Sequence, residues 1–257
     1  MLAAGGRTGS TLLQRLLIST GEIMIWGEHG GLLLDALQRF VYGMREWIDV
    51  AGGRHLAQFA QQGWNSWIPN INPAHEAFLE GARAALWQSL AVPAARLGFP
   101  RWGFKEIRYN AAAVSLLKTL FPDAAIVVLV RHPESALRSM KATSWYELEF
   151  NARPDLFLER WAALSSSLAG TRSAVAGVLF LRYEDLTADA EGVIAQLAAH
   201  VAVDQGRFNP VALETRLRGI TDQPAPLDGH DRAALAAPDV RQVAAVLGYD
   251  LERPAPN

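Results

Sequence analysis

Three short polar segments stand out by residue type and spacing. The first, Gly5-Gly6-Arg7-Thr8-Gly9-Ser10-Thr11, packs glycines, a guanidinium and three hydroxyls into seven residues. A helix-like run follows it, with Leu12, Leu13, Leu16 and Leu17 on one face. A glycine-rich turn that opens a helix aims backbone N–H groups and the positive end of the helix dipole at an anion such as phosphate. Loops that hold nucleoside triphosphates carry Lys after the last glycine, whereas here Gly9 is followed by Ser10. The second segment is Leu129 to Pro133 (LVRHP), with Ser139 eight residues after Arg131 and Lys141 just beyond. A guanidinium at a strand end and a hydroxyl on the next helix can fold back onto one phosphate. The third segment, Leu181 to Leu186 (LRYEDL), puts Arg182 and Tyr183 directly after another apolar run. Alone it reads as a strand-to-helix turn.

Elements of the right kind surround these segments. Ala124 to Val130 (AAIVVLV) is an apolar run of the type that forms a strand buried on both faces of a parallel sheet. Val178 to Leu181 reads as a second such strand, Glu22 to Trp26 and Trp102 to Phe104 as shorter ones, and Met1 to Gly5 as a brief strand ahead of the loop. Between them, helical periodicity places Leu33, Leu37, Phe40, Val41, Met44 and Ile48 on one face. Further helices are expected over 75–90, 110–120, from Glu134 and over 154–169, with Thr187 as N-cap of a later one. Strands alternating with helices predict a single α/β domain over 1–257, with a central parallel sheet of four or five strands flanked by helices. Ligands of such sheets sit beyond the strand C-termini, which is where all three polar segments fall. Residues 29–101 read as a helical, Trp-rich insertion, and 203–257 as C-terminal helices. Six of eight tryptophans (Trp26, Trp47, Trp64, Trp67, Trp87, Trp102) lie in or beside that insertion, where they either pack the core or wall a pocket.

Composition narrows the chemistry. The 257 residues are 50% hydrophobic and 19% charged, which suits a packed core and excludes disorder. With 24 Lys and Arg against 26 Asp and Glu, the formal charge of −2 provides no global field for nucleic acid or anionic lipid. An anion must therefore be held by a local cluster of cations. The absence of cysteine excludes thiolate metal sites and a cysteine nucleophile. No apolar run approaches the ~20 residues of a bilayer span, and Gly5-Gly6-Arg7 interrupts any secretory signal, so the expected compartment is the cytoplasm, with no membrane partner.

Taken together and in this order, the segments resemble the sulfotransferases that use 3′-phosphoadenosine 5′-phosphosulfate (PAPS), closer to the bacterial carbohydrate and tyrosylprotein-like branches than to the cytosolic aryl branch. Gly6 to Leu13 is similar to that family's P-loop-like 5′-phosphosulfate loop, Leu129 to Met140 to its 3′-phosphate motif, and Leu181 to Leu186 to its third landmark. The resemblance implies that Gly6, Arg7, Thr8, Gly9, Ser10 and Thr11 cradle the 5′-phosphosulfate, while Arg131 and Ser139 grip the 3′-phosphate with Tyr183 close by. It implies a PAPS co-substrate, PAP as product, no metal, and a small-molecule or carbohydrate acceptor whose hydroxyl or amine is sulfated by in-line displacement. The acceptor must lose a proton. Glu28, in the turn Gly27-Glu28-His29-Gly30, is the first candidate base and His29 the second. Lys105 matches a family lysine that stabilises the leaving phosphate oxygen, Arg7 counts with the catalytic set, and Arg108 assists or lines the pocket. Gly6 stands where the family has Pro, Lys141 is a nearby substitute for a second 3′-site cation, and the resemblance implies that 29–101 lies on the acceptor side and that a loop within 216–232 covers the cofactor. Two alternatives remain open: a P-loop nucleotide-dependent small-molecule kinase, and a non-catalytic nucleotide-binding relative.

Overall fold

Every residue of the central strand Ile126–Val130 is buried, as its unbroken apolar sequence requires when both faces of a parallel sheet are covered. The structure, a computed structural model, describes residues 1–48, 53–214 and 225–253. Its strands are β1 (Leu2–Ala3), β2 (Ile23–Trp26), β3 (Arg101–Phe104), β4 (Ile126–Val130) and β5 (Val178–Arg182). All pair in parallel, in a three-stranded sheet of order β1-β4-β5 and a two-stranded sheet β2-β3. The expectation of one sheet with four or five strands is corrected in this respect. Five strands are present among the described residues, but a single bridge between Leu2 and Glu106 joins the two sets. The reason is the brevity of β1, whose two residues cannot pair along the length of both neighbours. A cavity of about 440 Å³ opens where that pairing fails, between Arg101–Phe104 and Ala124–Val127 at the N-terminal ends of the strands. It lies at the opposite end of the sheet from the polar segments.

Helices fill the crossovers. After β1 comes α1 (Ser10–Ile18), which buries Leu13, Leu16 and Leu17 against the sheet. Between β2 and β3 run α2 (Leu32–Trp47), α3 (Gly53–Gln62), α4 (His75–Leu86), a π-helical turn Trp87–Ala91 and α5 (Val92–Arg96). The stretch 29–101 is thus helical, yet its tryptophans divide. Trp26 donates its indole N–H to the Leu90 carbonyl at 2.9 Å, and Trp102 packs edge-on against Phe121. Trp64, Trp67 and Trp87 are exposed, Trp64 at 80%. The side chain of Trp47 lies outside the described residues.

Beyond β3 come α6 (Ala111–Leu120), then after β4 α7 (Pro133–Lys141), α8 (Trp145–Phe150), α9 (Pro154–Ala169) and α10 (Thr171–Ala174). After β5 come α11 (Tyr183–Ala188), α12 (Ala190–Val201), α13 (Val211–Glu214), α14 (Gly229–Leu235) and α15 (Pro238–Val246). The expected N-cap Thr187 is corrected. Residues 183–188 form a helix of their own, in which the Thr187 hydroxyl donates to the Glu184 carbonyl, and Asp189 caps α12 by accepting from the Gly192 N–H. Of the expected covering loop, 216–224 lie outside the described residues. Residue 225 onward docks on α7, through paired backbone and side-chain bonds between Ala225 and Arg138. Among the described residues no helix is long and apolar enough to cross a membrane.

Candidate active site

The glycine-rich loop leaves β1 through three left-handed residues, Gly5 (φ 90°), Arg7 (φ 64°) and Gly9 (φ 86°). Glycine adopts this conformation freely, whereas Arg7 is strained there and must be held by its surroundings. Thr8 is fully buried and its hydroxyl donates to the Gly5 carbonyl at 3.2 Å, so it braces the loop from within. Gly9 is the N-cap of α1, and no side chain caps that helix. The helix end is therefore left to an acceptor from elsewhere. Gly9 has a second constraint: a Cβ there would stand 2.2 Å from the ring of Tyr183.

Two arginines meet over this loop. The Arg131 Nη1 donates to the Arg7 carbonyl at 2.9 Å, its guanidinium lies 4.1 Å from the centre of the Tyr183 ring, and its Nε is buried without a partner. The Arg7 Nε donates to Ser139 Oγ at 3.0 Å, bringing in α7. Neither guanidinium makes an ion pair among the described residues. Burial and then the neighbouring Arg131 push the Arg7 pKa down, and burial does the same to Arg131. An electropositive concavity built this way favours a bound anion.

Beside it lies a second cluster of different composition. Lys105, 7% exposed, pairs its Nζ with Glu28 Oε1 and stands 3.4 Å from Thr11 Oγ1 in the first turn of α1. Glu28 Oε2 accepts from Arg108 Nη1 at 2.9 Å, and Arg108 also reaches Glu106 at 3.2 Å and Glu149 at 3.3 Å. Glu28 therefore faces the loop through Lys105. Its neighbour His29 does not share that contact: the imidazole packs edge-on against Phe104 at 5.6 Å, with Nδ1 buried and unpartnered. Successive residues of an extended segment point to opposite faces, which separates the partner of His29, Phe104, from the partner of Glu28, Lys105.

The structure thus brings together Arg7, Gly9, Arg131, Ser139 and Tyr183 on one side, and Thr11, Glu28, Lys105 and Arg108 on the other. Gly6 tucks under α7, where a Cβ would meet the Met140 methyl at 2.8 Å. Ser10 is buried at the start of α1. Lys141 is not available as a second phosphate cation, because its Nζ is bound by the buried Asp231 and by Asp228 at 3.5 Å. Its partners are about 90 residues away in sequence, which no local pattern reveals.

Sequence reasoning also missed two carboxylates. Glu184 accepts from the His132 backbone N–H and from the Tyr249 hydroxyl, both at 2.9 Å, tying the second and third segments to the C-terminal end. Glu106 is fully buried and accepts from three backbone N–H groups, of His29, Gly31 and Ile107. The signal for Glu106 was a charged residue two places beyond an apolar strand, and Lys105, directly after the strand, carries a stronger form of it.

A model of the Sulfotransferase family matches residues 4–205. The fold is similar to the sulfotransferase domain from the curacin biosynthetic pathway, with a TM-score of 0.56 and 16% identity over 97% of each chain. It is also similar to the sulfotransferase domain of the Synechococcus PCC 7002 olefin synthase, with a TM-score of 0.54 and 19% identity over 97% of this chain and 94% of that one. At these identities the likeness concerns the fold. Comparison with curated proteins gives no match.

Proposed function

The chain belongs to the sulfotransferase family, and from that premise we propose that it transfers the sulfuryl group of PAPS to a hydroxyl or amine of a small-molecule or carbohydrate acceptor. The observation that carries this reading is the place of Lys105, whose ammonium stands between Thr11 of the glycine-rich loop and the carboxylate of Glu28. A site for sulfuryl transfer needs cations on the donor side and a proton acceptor on the other, close enough to share one reacting centre.

The residues fit the donor. Arg7 and Arg131 are cations with no carboxylate in contact among the described residues, and the Arg131 Nε is buried without a partner, so two phosphate groups would complete both. The start of α1 and the loop N–H groups would hold the 5′-phosphosulfate, and Arg131 with Ser139 the 3′-phosphate beside Tyr183. When bound, PAPS supplies the sulfuryl group and leaves as PAP. Lys105 neutralises the charge that grows on the leaving phosphate oxygen. Glu28 takes the proton of the acceptor hydroxyl, and Arg108 fixes its second oxygen. Turning Lys105 toward the donor would release Glu28 Oε1 for that proton. His29, held against Phe104, is left as a packing residue.

Thermal-shift titration separates this reading from its alternatives. At a hundredfold excess over Kd, PAP should raise Tm by about 5–10 °C while ATP and GTP do not. A shift with ATP and none with PAP would favour a kinase, no shift with any nucleotide a scaffold protein, and a shift with PAP but no turnover a non-catalytic nucleotide-binding relative. PAP release from PAPS in a panel of phenols, primary alcohols and monosaccharides then identifies the acceptor class.

A further inference from the structure

We propose that Glu106 is a positioning residue for the Glu28 base, clamping the turn that carries Glu28 onto the strand that feeds the glycine-rich loop. The inference rests on the reading of Glu28 as base and assigns a role to a residue that touches neither donor nor acceptor.

The geometry of Glu106 runs in two directions. Its backbone is stitched to β1: its N–H donates to the Met1 carbonyl at 3.1 Å, and its carbonyl accepts from Ala3 at 2.9 Å. Two residues further along, β1 becomes the loop that binds Arg131 through the Arg7 carbonyl. The side chain of Glu106 reaches the other way. Oε2 accepts from the N–H groups of His29 and Gly31, both at 2.9 Å, and Oε1 from Ile107 N–H at 2.9 Å and Arg108 Nη1 at 3.2 Å. That same Arg108 nitrogen binds Glu28 Oε2. Glu106 therefore holds Glu28 by two routes, through the backbone of the following residue and through the guanidinium they share.

The turn needs such a clamp. Gly27, Gly30 and Gly31 surround Glu28 and His29, and Gly30 and Gly31 both have positive φ (65° and 78°). Glycine has the widest conformational freedom of any residue, so this turn has little stiffness of its own. Its two inward N–H groups are also the entry to α2, where Gly31 is an N-cap with no side chain to offer. A fully buried carboxylate meeting four donors supplies what the turn lacks. Burial alone would raise its pKa, but the N–H groups of Gly31, Ile107 and His29, with Arg108, hold it below the ordinary carboxylate value, so the clamp stays charged at neutral pH.

Glu106→Gln tests this. Both turn N–H groups meet one carboxylate oxygen and Ile107 with Arg108 the other, so the amide nitrogen opposes two donors in either orientation, and the charge that binds all four is lost while volume is preserved. With PAP release from PAPS as readout, on the best acceptor of the same panel, kcat should fall roughly 100-fold, the cost of misplacing a catalytic group by about 1 Å. PAP affinity should stay within about twofold, and the amides of His29 and Gly31 should exchange with deuterium at least ~10-fold faster. Glu28→Gln/Glu106→Gln should be no slower than Glu28→Gln alone, because both act through one group. A merely structural role predicts the opposite pattern: PAP affinity and kcat falling together, and full additivity. If Glu106→Gln does not fold, Glu106→Asp, which keeps the charge but shortens its reach, is read by the same measurements. Wild-type turnover in a folded variant, full additivity with Glu28→Gln, or rapid exchange of both amides in the wild-type protein each overturns the proposal. Normal turnover of Glu28→Gln instead overturns the base reading itself, so the two failures are told apart.

Discussion

Two cationic clusters lie beside each other at the C-terminal ends of the strands, and their charges are balanced in opposite ways. Around the glycine-rich loop, Arg7 and Arg131 rest on a serine hydroxyl, a backbone carbonyl and the face of Tyr183, with no carboxylate in contact among the described residues. One turn away, Lys105 and Arg108 are matched by Glu28, Glu106 and Glu149. Desolvating a cation costs free energy unless it is paired. The first cluster carries that cost in the absence of ligand, which fits a site whose counter-charge arrives with the donor. The second is self-sufficient, which fits a group that must keep its geometry through a proton transfer. Loading a site with unmatched charge favours binding, and matching charge favours position.

The largest test of this contrast is Glu28→Gln. It should lower kcat by about 10²–10⁴, the range for loss of a general base, and leave PAP affinity within about twofold. A parallel loss of PAP affinity would mean that the clusters do not divide binding from proton transfer. Next is Arg131→Ala, which should weaken PAP by about 2–5 kcal/mol in a calorimetric titration, as for removal of one partner of a desolvated charge pair. Unchanged affinity would remove Arg131 from the anion site.

Gly9→Ala is expected to cost about 1–3 kcal/mol of stability through its positive φ, and to displace the Tyr183 ring. Urea unfolding measures the first effect and PAP titration the second, and the balanced cluster should be untouched. The smallest effect is on pH. Burial pushes the His132 and His200 imidazoles below 6.5, so between the folded and unfolded pKa values the unfolded chain binds more protons. Their contribution to stability is full above about pH 6.5 and is lost as pH falls from there toward the folded values. The urea midpoint should therefore be lower at pH 5.5 than at pH 7.5.

The parts that could be read without tertiary information share a short range. Ile126–Val130 is a strand because five consecutive apolar, mostly β-branched residues suit burial on both faces. Gly9 is a cap because α1 begins where the leucine periodicity begins. Misreadings came where a local rule had two solutions. Thr187 and Asp189 are both acceptable caps, and the extra helix at 183–188 decided for Asp189. Lys141 reads as a substitute for a second phosphate cation until Asp231 is seen to hold it. The tryptophans of 26–102 share a composition but not a fate, since Trp26 has the Leu90 carbonyl within reach and Trp64 faces solvent.

By itself, then, the amino-acid sequence determined the alternation of strands and helices, the glycine turn with its hydroxyls, and the order of the three polar segments. Hydrophobic period and backbone freedom act over a few residues and need no distant partner. Tertiary structure alone decided which charges are matched. Glu28 meets Lys105 across 77 residues and Arg108 across 80, and Arg131 meets the Arg7 carbonyl across 124. Ion pairing and desolvation depend on distance and burial in space, and the parallel sheet, by bringing strand ends together from across the chain, is what sets both.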